Sequence, residues 1–238
     1  MKRKIQRMGF TEGNYAAILR GDKTQTRRVM NPQPDLHDSD DCGCLNLPVG
    51  FRNRHWRWKD WLVNTEAALR EAIVREAPYA VGDFAGLTLP HGRWNAHGDS
   101  PLCIWDSINQ IARCQDGRSV RTVGNAIMTP GTFKRKAARY MPVWACLHFA
   151  EIVGVRAERL GEIAWWDAIE EGCFSSGHPD RYFDWRWPGQ PREADGYASP
   201  LEAYAREWEA LHGAGAWERN EWVWVRDFKL CDPPEGTT

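Results

Sequence analysis

The run WVWVRDFKL at residues 222–230 constrains this chain more than any other stretch. Trp222 and Trp224 share one face of a period-two pattern, so the segment reads as a strand whose tryptophan face lies inside the fold or under a helix. Its partners must come from far away in sequence. Strand patterns lie near 23–29, 79–89 and 141–157. In the last, Trp144, Cys146 and His148 alternate against Val143, Ala145 and Leu147. Helical patterns fill the intervals at 11–20, 59–76, 161–171 and 199–211. Thr11 and Gly21 bound the first, and Ser199 with Pro200 opens the last. In the second, Trp61, Leu62, Leu69, Ala72 and Ile73 share a side. Distant strands with helices between them predict an α+β domain built around a small β-barrel.

The 238 residues are 42% hydrophobic, enough to bury a core. No stretch approaches the roughly 18 consecutive apolar residues of a membrane span. The basic N-terminus lacks the apolar segment of a secretory signal, so a cytoplasmic protein is expected. Seven cysteines, an odd number, fit reduced thiols rather than a disulfide framework. Cys42 and Cys44 are the only close pair, and no second pair completes a zinc pattern. No metal and no cofactor is therefore expected.

Charge is uneven along the chain. Residues 1–28 carry Lys2, Arg3, Lys4, Arg7, Arg20, Lys23, Arg27 and Arg28 against Glu12 and Asp22. Residues 113–139 carry Arg113, Arg118, Arg121, Lys134, Arg135, Lys136 and Arg139 against Asp116 alone. From residue 158 onward, eight basic side chains face seventeen acidic ones. Basic segments of this kind suit a polyanion, or else they are balanced by the acidic third of the same chain.

The segment ILRGDKTQTRR (18–28) contains G-x-K-x-x-T-x-R after a helix, and on it the chain resembles the ASCH domain of the PUA-like superfamily. PYAVGD (78–83), YMPVWA (140–145), VRAERLGEIAWWDAIEEG (155–172) and GAGAWERNEWVWVRDF (213–228) are similar, in the same order, to the larger ASCH proteins of tailed phages and prophages. FAGLTL (84–89) departs from the charged strand that usually follows the PYAVGD turn, and segments 35–76 and 91–139 match nothing in the family. The resemblance implies a single PUA-like barrel with helices around it and two insertions, at about 35–76 and 91–139.

The resemblance also implies a site. Small ASCH enzymes that hydrolyse N4-acetylcytidine use a lysine, a threonine three residues later and a glutamate after the middle helix. Matched here, these are Lys23, Thr26 and Glu171. A desolvated lysine can act as base, a threonine beside it as nucleophile, and a carboxylate can orient the lysine. In a regular strand, however, residues 23 and 26 face opposite ways, so they converge only through a bulge or the turn at Gly21 and Asp22. Each of the three also reads as an ordinary surface or strand residue. Arg27 and Arg28, whose guanidinium forks onto oxyanions, are expected to contact phosphate or a carboxylate, or else to form salt bridges with the acidic C-terminal third, and with Arg135 and Lys136 they are the expected nucleic-acid contacts. Trp165 and Trp166 cannot both face the core of one helix, and His148 reads as a hydrogen-bonded wall residue. The expected partner is single-stranded RNA or a nucleoside, bound by the domain and in one reading hydrolysed as an amide of a modified pyrimidine. The alternative is a non-catalytic phage or prophage protein of interaction or morphogenesis.

Overall fold

The computed structural model describes residues 3–31, 33–34, 44–52, 55–62, 66–94, 103–106, 111–114, 119–121, 134–175, 182–183 and 196–235. In chain order the first elements are β1 (Ile5–Gly9), α1 (Glu12–Arg20), β2 (Gln25–Val29), β3 (Cys44–Arg52), β4 (His55–Leu62) and α2 (Glu66–Arg75). Next come β5 (Phe84–Thr88), β6 (His91–Trp94), β7 (Cys103–Asp106), β8 (Ile111–Cys114), β9 (Ser119–Arg121) and β10 (Lys134–Lys136). The last are β11 (Phe149–Arg159), α3 (Trp165–Glu170), β12 (Phe174–Ser175), β13 (Tyr182–Phe183), α4 (Pro200–His212) and β14 (Trp222–Cys231).

The chain is an α+β protein. A five-stranded sheet runs in the order β1-β5-β11-β14-β2, with β1 parallel to β5 and antiparallel pairing of β5 with β11 and of β14 with β2. This mixed sheet is not closed into the expected barrel: β1 and β2 stand at its two ends. Two compact units divide the chain. One holds Met1–Gly21, Gly82–Glu151 and Lys229–Thr238, the other Asp22–Val81 and Ile152–Phe228. The region expected as the second insertion holds an antiparallel sheet in the order β10-β6-β7-β8-β9, and the first holds the hairpin β3–β4 and α2.

In the first unit, local signals set α1. The Thr11 hydroxyl accepts from Asn14 N–H, and Gly21 at φ 83° ends the helix by donating to the carbonyls of Ala17 and Ile18. Tyr15 and Ile18 are fully buried in the core with Leu87 and Phe149. The Tyr15 hydroxyl lies 2.9 Å from His148 Nδ1, so His148 is the hydrogen-bonded residue its pattern suggested. The strand expected over 141–157 starts only at Phe149. Before it, Ala138–Tyr140 and Val143–Ala145 are 3₁₀ turns, with Pro142 between them unable to donate to a ladder.

In the second unit, β14 is covered on both faces. Val223 and Val225, with Val29 of β2, pack on Leu160, Ala168, Ala203, Tyr204 and Trp208. Trp222 and Trp224 pack with Met30, Ala157 and Ile73 of α2, as their shared face required. The helix expected over 59–76 begins only at Glu66, because residues 55–62 pair with β3 instead. Ser199 caps α4 by accepting from Glu202 N–H at 3.1 Å, and Pro200 takes the first helical position. Trp165 and Trp166 are both exposed, edge to face at 5.8 Å. Among the described residues no helix is long and apolar enough to cross a membrane.

Burial sorts the tryptophans by cost. Trp208→Ala should destabilise the protein by about 3–5 kcal/mol, whereas Trp165→Ala should change stability by no more than about 0.5 kcal/mol. Denaturant midpoints measure both.

Candidate functional site

Lys23 stands two residues before β2, in a segment fixed from both sides. Thr24 N–H donates to the Glu170 carbonyl and the Thr24 carbonyl accepts from Phe228 N–H, each at 2.9 Å. This turns the Lys23 side chain under the end of α3. Its Nζ donates to Glu171 Oε2 at 2.6 Å and to the Glu171 backbone carbonyl at 2.5 Å. Both side chains are buried, at 3% and 2% exposure. A helix C-terminus is a poor place for an anion. Lys23 supplies the compensation, neutralising the carboxylate and capping the last turn with one group.

Arg27 extends the pair into a network. Its Nη1 donates to Glu171 Oε1 at 3.2 Å and to Gln25 Oε1, and its Nη2 lies 3.1 Å from Glu158 Oε2 and 3.2 Å from Asp167 Oδ2. From β11, Arg156 Nη1 donates to both Asp227 oxygens at 2.8 and 3.0 Å, and its Nη2 reaches Asp167 Oδ1 at 2.7 Å. Gln25 Nε2 donates among Asp227, Glu170 and Asp167 at 2.8–3.1 Å. Glycine is required at residue 154, because a Cβ there would sit 2.3 Å from Asp227 Oδ2.

The charges are tuned by this packing. Burial would raise the Asp167 pKa, but the Gln25 hydrogen bond and the Arg27 and Arg156 charges outweigh it and hold the carboxyl below its ordinary value. Glu170 goes the other way, raised by burial and by the neighbouring Asp227 and Asp167. Burial opposes the charge on Arg27, yet Glu171, Glu158 and Asp167 lift its pKa above the usual value. Tyr204, buried beside Glu171, is pushed well above the ordinary phenol range, chiefly by burial.

A cavity of about 630 Å³ opens beside the network, between α2 and β11. Val74, Val155, Ala67 and Ala157 give it apolar surface, while Arg70, Glu71, Arg75, Arg156 and Glu158 give it charge. Arg156 and Glu158 belong to both cavity and network. Arg70 donates to the Ala157 carbonyl at 3.1 Å, forks onto Glu162 at 2.7 and 2.9 Å, and covers Trp222 at 5.5 Å.

Of the residues singled out in the sequence, Lys23 and Glu171 meet, and Arg27 joins them with no exposed side-chain surface. Thr26 is buried but alternates to the opposite face of β2, in register with Arg226. None of Lys23, Thr26 and Glu171 lines the cavity. Arg28 is half-buried, with burial lowering its pKa. Lys136 is exposed, while the Arg135 side chain, most of segment 113–139 and Cys42 lie outside the described residues. Sequence reasoning missed Gln25, Arg156, Glu158, Asp167 and Asp227. The one signal, for all but Asp167 and Asp227, was polar side chains at alternating strand positions, Arg156 with Glu158 and Gln25 with Arg27. Among the described residues, no group of three or more His, Cys, Asp or Glu side chains is placed to hold a metal ion.

The second unit thus defines an α+β protein with a buried charge network opening on a cavity. Comparison with protein-family models, curated proteins and solved structures finds no match for this chain.

The two shifted carboxyls give the site a pH signature. Asp167 contributes stability that is present above its ordinary value of 3.8 and lost as pH falls through its lower folded value. Glu170, raised above 4.5, penalises the folded state near neutrality, and that penalty is relieved as pH falls through its folded value. Asp167→Asn should therefore flatten the acid limb of the stability profile below about pH 4. Glu170→Gln should raise stability at neutral pH and leave that limb in place. Denaturant midpoints from pH 2.5 to 7.5, taken as roughly spanning both transitions, measure the two effects.

Proposed function

We propose that this chain is a PUA-like protein of ASCH type that binds the base of a nucleoside or of single-stranded RNA. One observation carries the reading. Lys23 of the G-x-K-x-x-T-x-R segment and Glu171 at the end of DAIEEG are joined at 2.6 Å in a buried setting, although 148 residues separate them. The resemblance requires this meeting, and nothing local in the sequence dictates it.

The chemistry suits a pyrimidine edge. In this reading the base enters the cavity of about 630 Å³, a volume within the range of small-ligand sites. Glu158 accepts from the exocyclic amine and Arg156 donates to the ring carbonyl. The buried Lys23, Arg27 and Glu171 hold those two side chains in place from behind. The exposed pair Trp165 and Trp166, on the same helix as Asp167, offers further bases of a strand a stacking surface.

Binding is favoured over hydrolysis because the Lys23 Nζ is engaged twice by Glu171 and Thr26 faces away. A base needs a free lone pair on Nζ, and a nucleophile must stand beside it. Calorimetric titration with cytidine, N4-acetylcytidine and a short single-stranded RNA tests the reading. Wild-type protein should bind at least one of them, Glu158→Gln should weaken binding about tenfold or more, and no cytidine should be released from N4-acetylcytidine. Binding of none of the three overturns the proposal. Release of cytidine that Lys23→Ala and Thr26→Ala abolish would replace it with the amidohydrolase.

A further inference from the structure

The two faces of the β2–β14 ladder treat arginine in opposite ways. On one face Arg27 is surrounded by Glu158, Asp167 and Glu171. On the other, Arg226 is 7% exposed and has no carboxylate within ion-pair distance among the described residues. Its guanidinium lies 4.5 Å over the Tyr79 ring, itself buried, and its Nε has no hydrogen-bond partner. Guanidinium does not escape such a position by losing its proton. Among the described residues only the Tyr79 ring offsets that burial, and a cation–π contact returns less than the burial of a cation costs.

The neighbours on that face make the deficit larger. Thr26 is the register partner of Arg226 and presents a hydroxyl to the same side. Arg28 follows one pleat further along β2; burial above all lowers the Arg226 pKa to about 10, Tyr79 opposes the shift and the Arg28 charge adds to it. Two arginines and a threonine hydroxyl thus share this face of the ladder, each able to donate. An oxyanion fits this set, because a guanidinium forks onto two oxygens of a phosphate and a hydroxyl can meet a third.

The geometry points to a phosphate-binding site at Arg226, with Arg28 and Thr26 completing it and Tyr79 as its floor. The site stands on the opposite face of the ladder from the Lys23–Glu171 network and does not depend on the base-binding reading. Its ligand is a phosphate group, free or carried by a nucleotide.

Thermal unfolding of the full chain tests it, with inorganic phosphate, cytidine 5′-monophosphate and unphosphorylated cytidine compared against potassium chloride at matched ionic strength. Inorganic phosphate and the monophosphate should each raise the wild-type midpoint saturably. Arg226→Met should abolish that rise while melting no lower than wild type in chloride, since it removes a buried charge that has no carboxylate partner among the described residues. Arg226→Lys, which keeps the charge and loses the fork, should need at least tenfold more phosphate and serves where the Met variant fails to fold. The site is overturned if neither phosphate probe shifts the wild-type midpoint, or if the shift survives both substitutions. A rise given by cytidine and the monophosphate alike, with inorganic phosphate silent, belongs to the base cavity and also overturns it.

Discussion

Arg27 is the interaction on which the second unit depends. Its guanidinium has no exposed surface, and an isolated cation in that position would cost several kcal/mol. Glu158 from β11 and Asp167 and Glu171 from the two ends of α3 make the position tenable. The dependence runs both ways. A helix of six residues has little stability of its own, so Asp167 and Glu171 gain as much from Arg27 as they give. Lys23 then closes the C-terminal end of the helix, and Arg156 ties its N-terminal end to Asp227 of β14.

Such a network is an expensive way to hold a fold. Buried ion pairs often do no better than apolar residues of the same volume, and unpaired members do much worse. The second unit has the apolar alternative at hand, since Val29, Val223 and Val225 pack on Trp208 and Tyr204 along the same faces. Charge is concentrated instead where Arg156 and Glu158 reach the cavity, and in the proposed reading this holds the polar groups of a base site still. On the reverse face of the ladder, Arg226 has no carboxylate partner among the described residues and lies over the Tyr79 ring, which is the contrast the phosphate proposal builds on.

The sequence was most legible where the determinants are local. Thr11 with Gly21, and Ser199 with Pro200, mark helix ends through bonds to residues within four positions. Trp222 and Trp224 marked a buried strand face because their period is a property of the strand itself. Residues 141–148 were misread because alternation survives across a pair of 3₁₀ turns, and 59–76 because a strand and a helix share one apolar tally. Lys23 and Glu171 were found through a resemblance, whereas Arg27 was read either as a phosphate contact or as a salt bridge to the acidic third, and its partners Glu158, Asp167 and Glu171 all lie in that third. Its burial follows from Glu158 and Asp167, more than 130 residues away, which no local pattern links to it. Thr26, expected to join Lys23 and Glu171, alternates to the face of β2 away from Arg27.

The Lys23–Glu171 bond can be measured directly by a double-mutant cycle in unfolding free energy, using Lys23→Met, Glu171→Leu and the pair. A buried bond of this kind predicts that each single variant loses about 3–5 kcal/mol, because each strands a charge. It further predicts that the double variant loses less than the two together by more than about 1 kcal/mol. Losses that add to within about 0.5 kcal/mol would mean the two side chains do not interact, and would contradict the network.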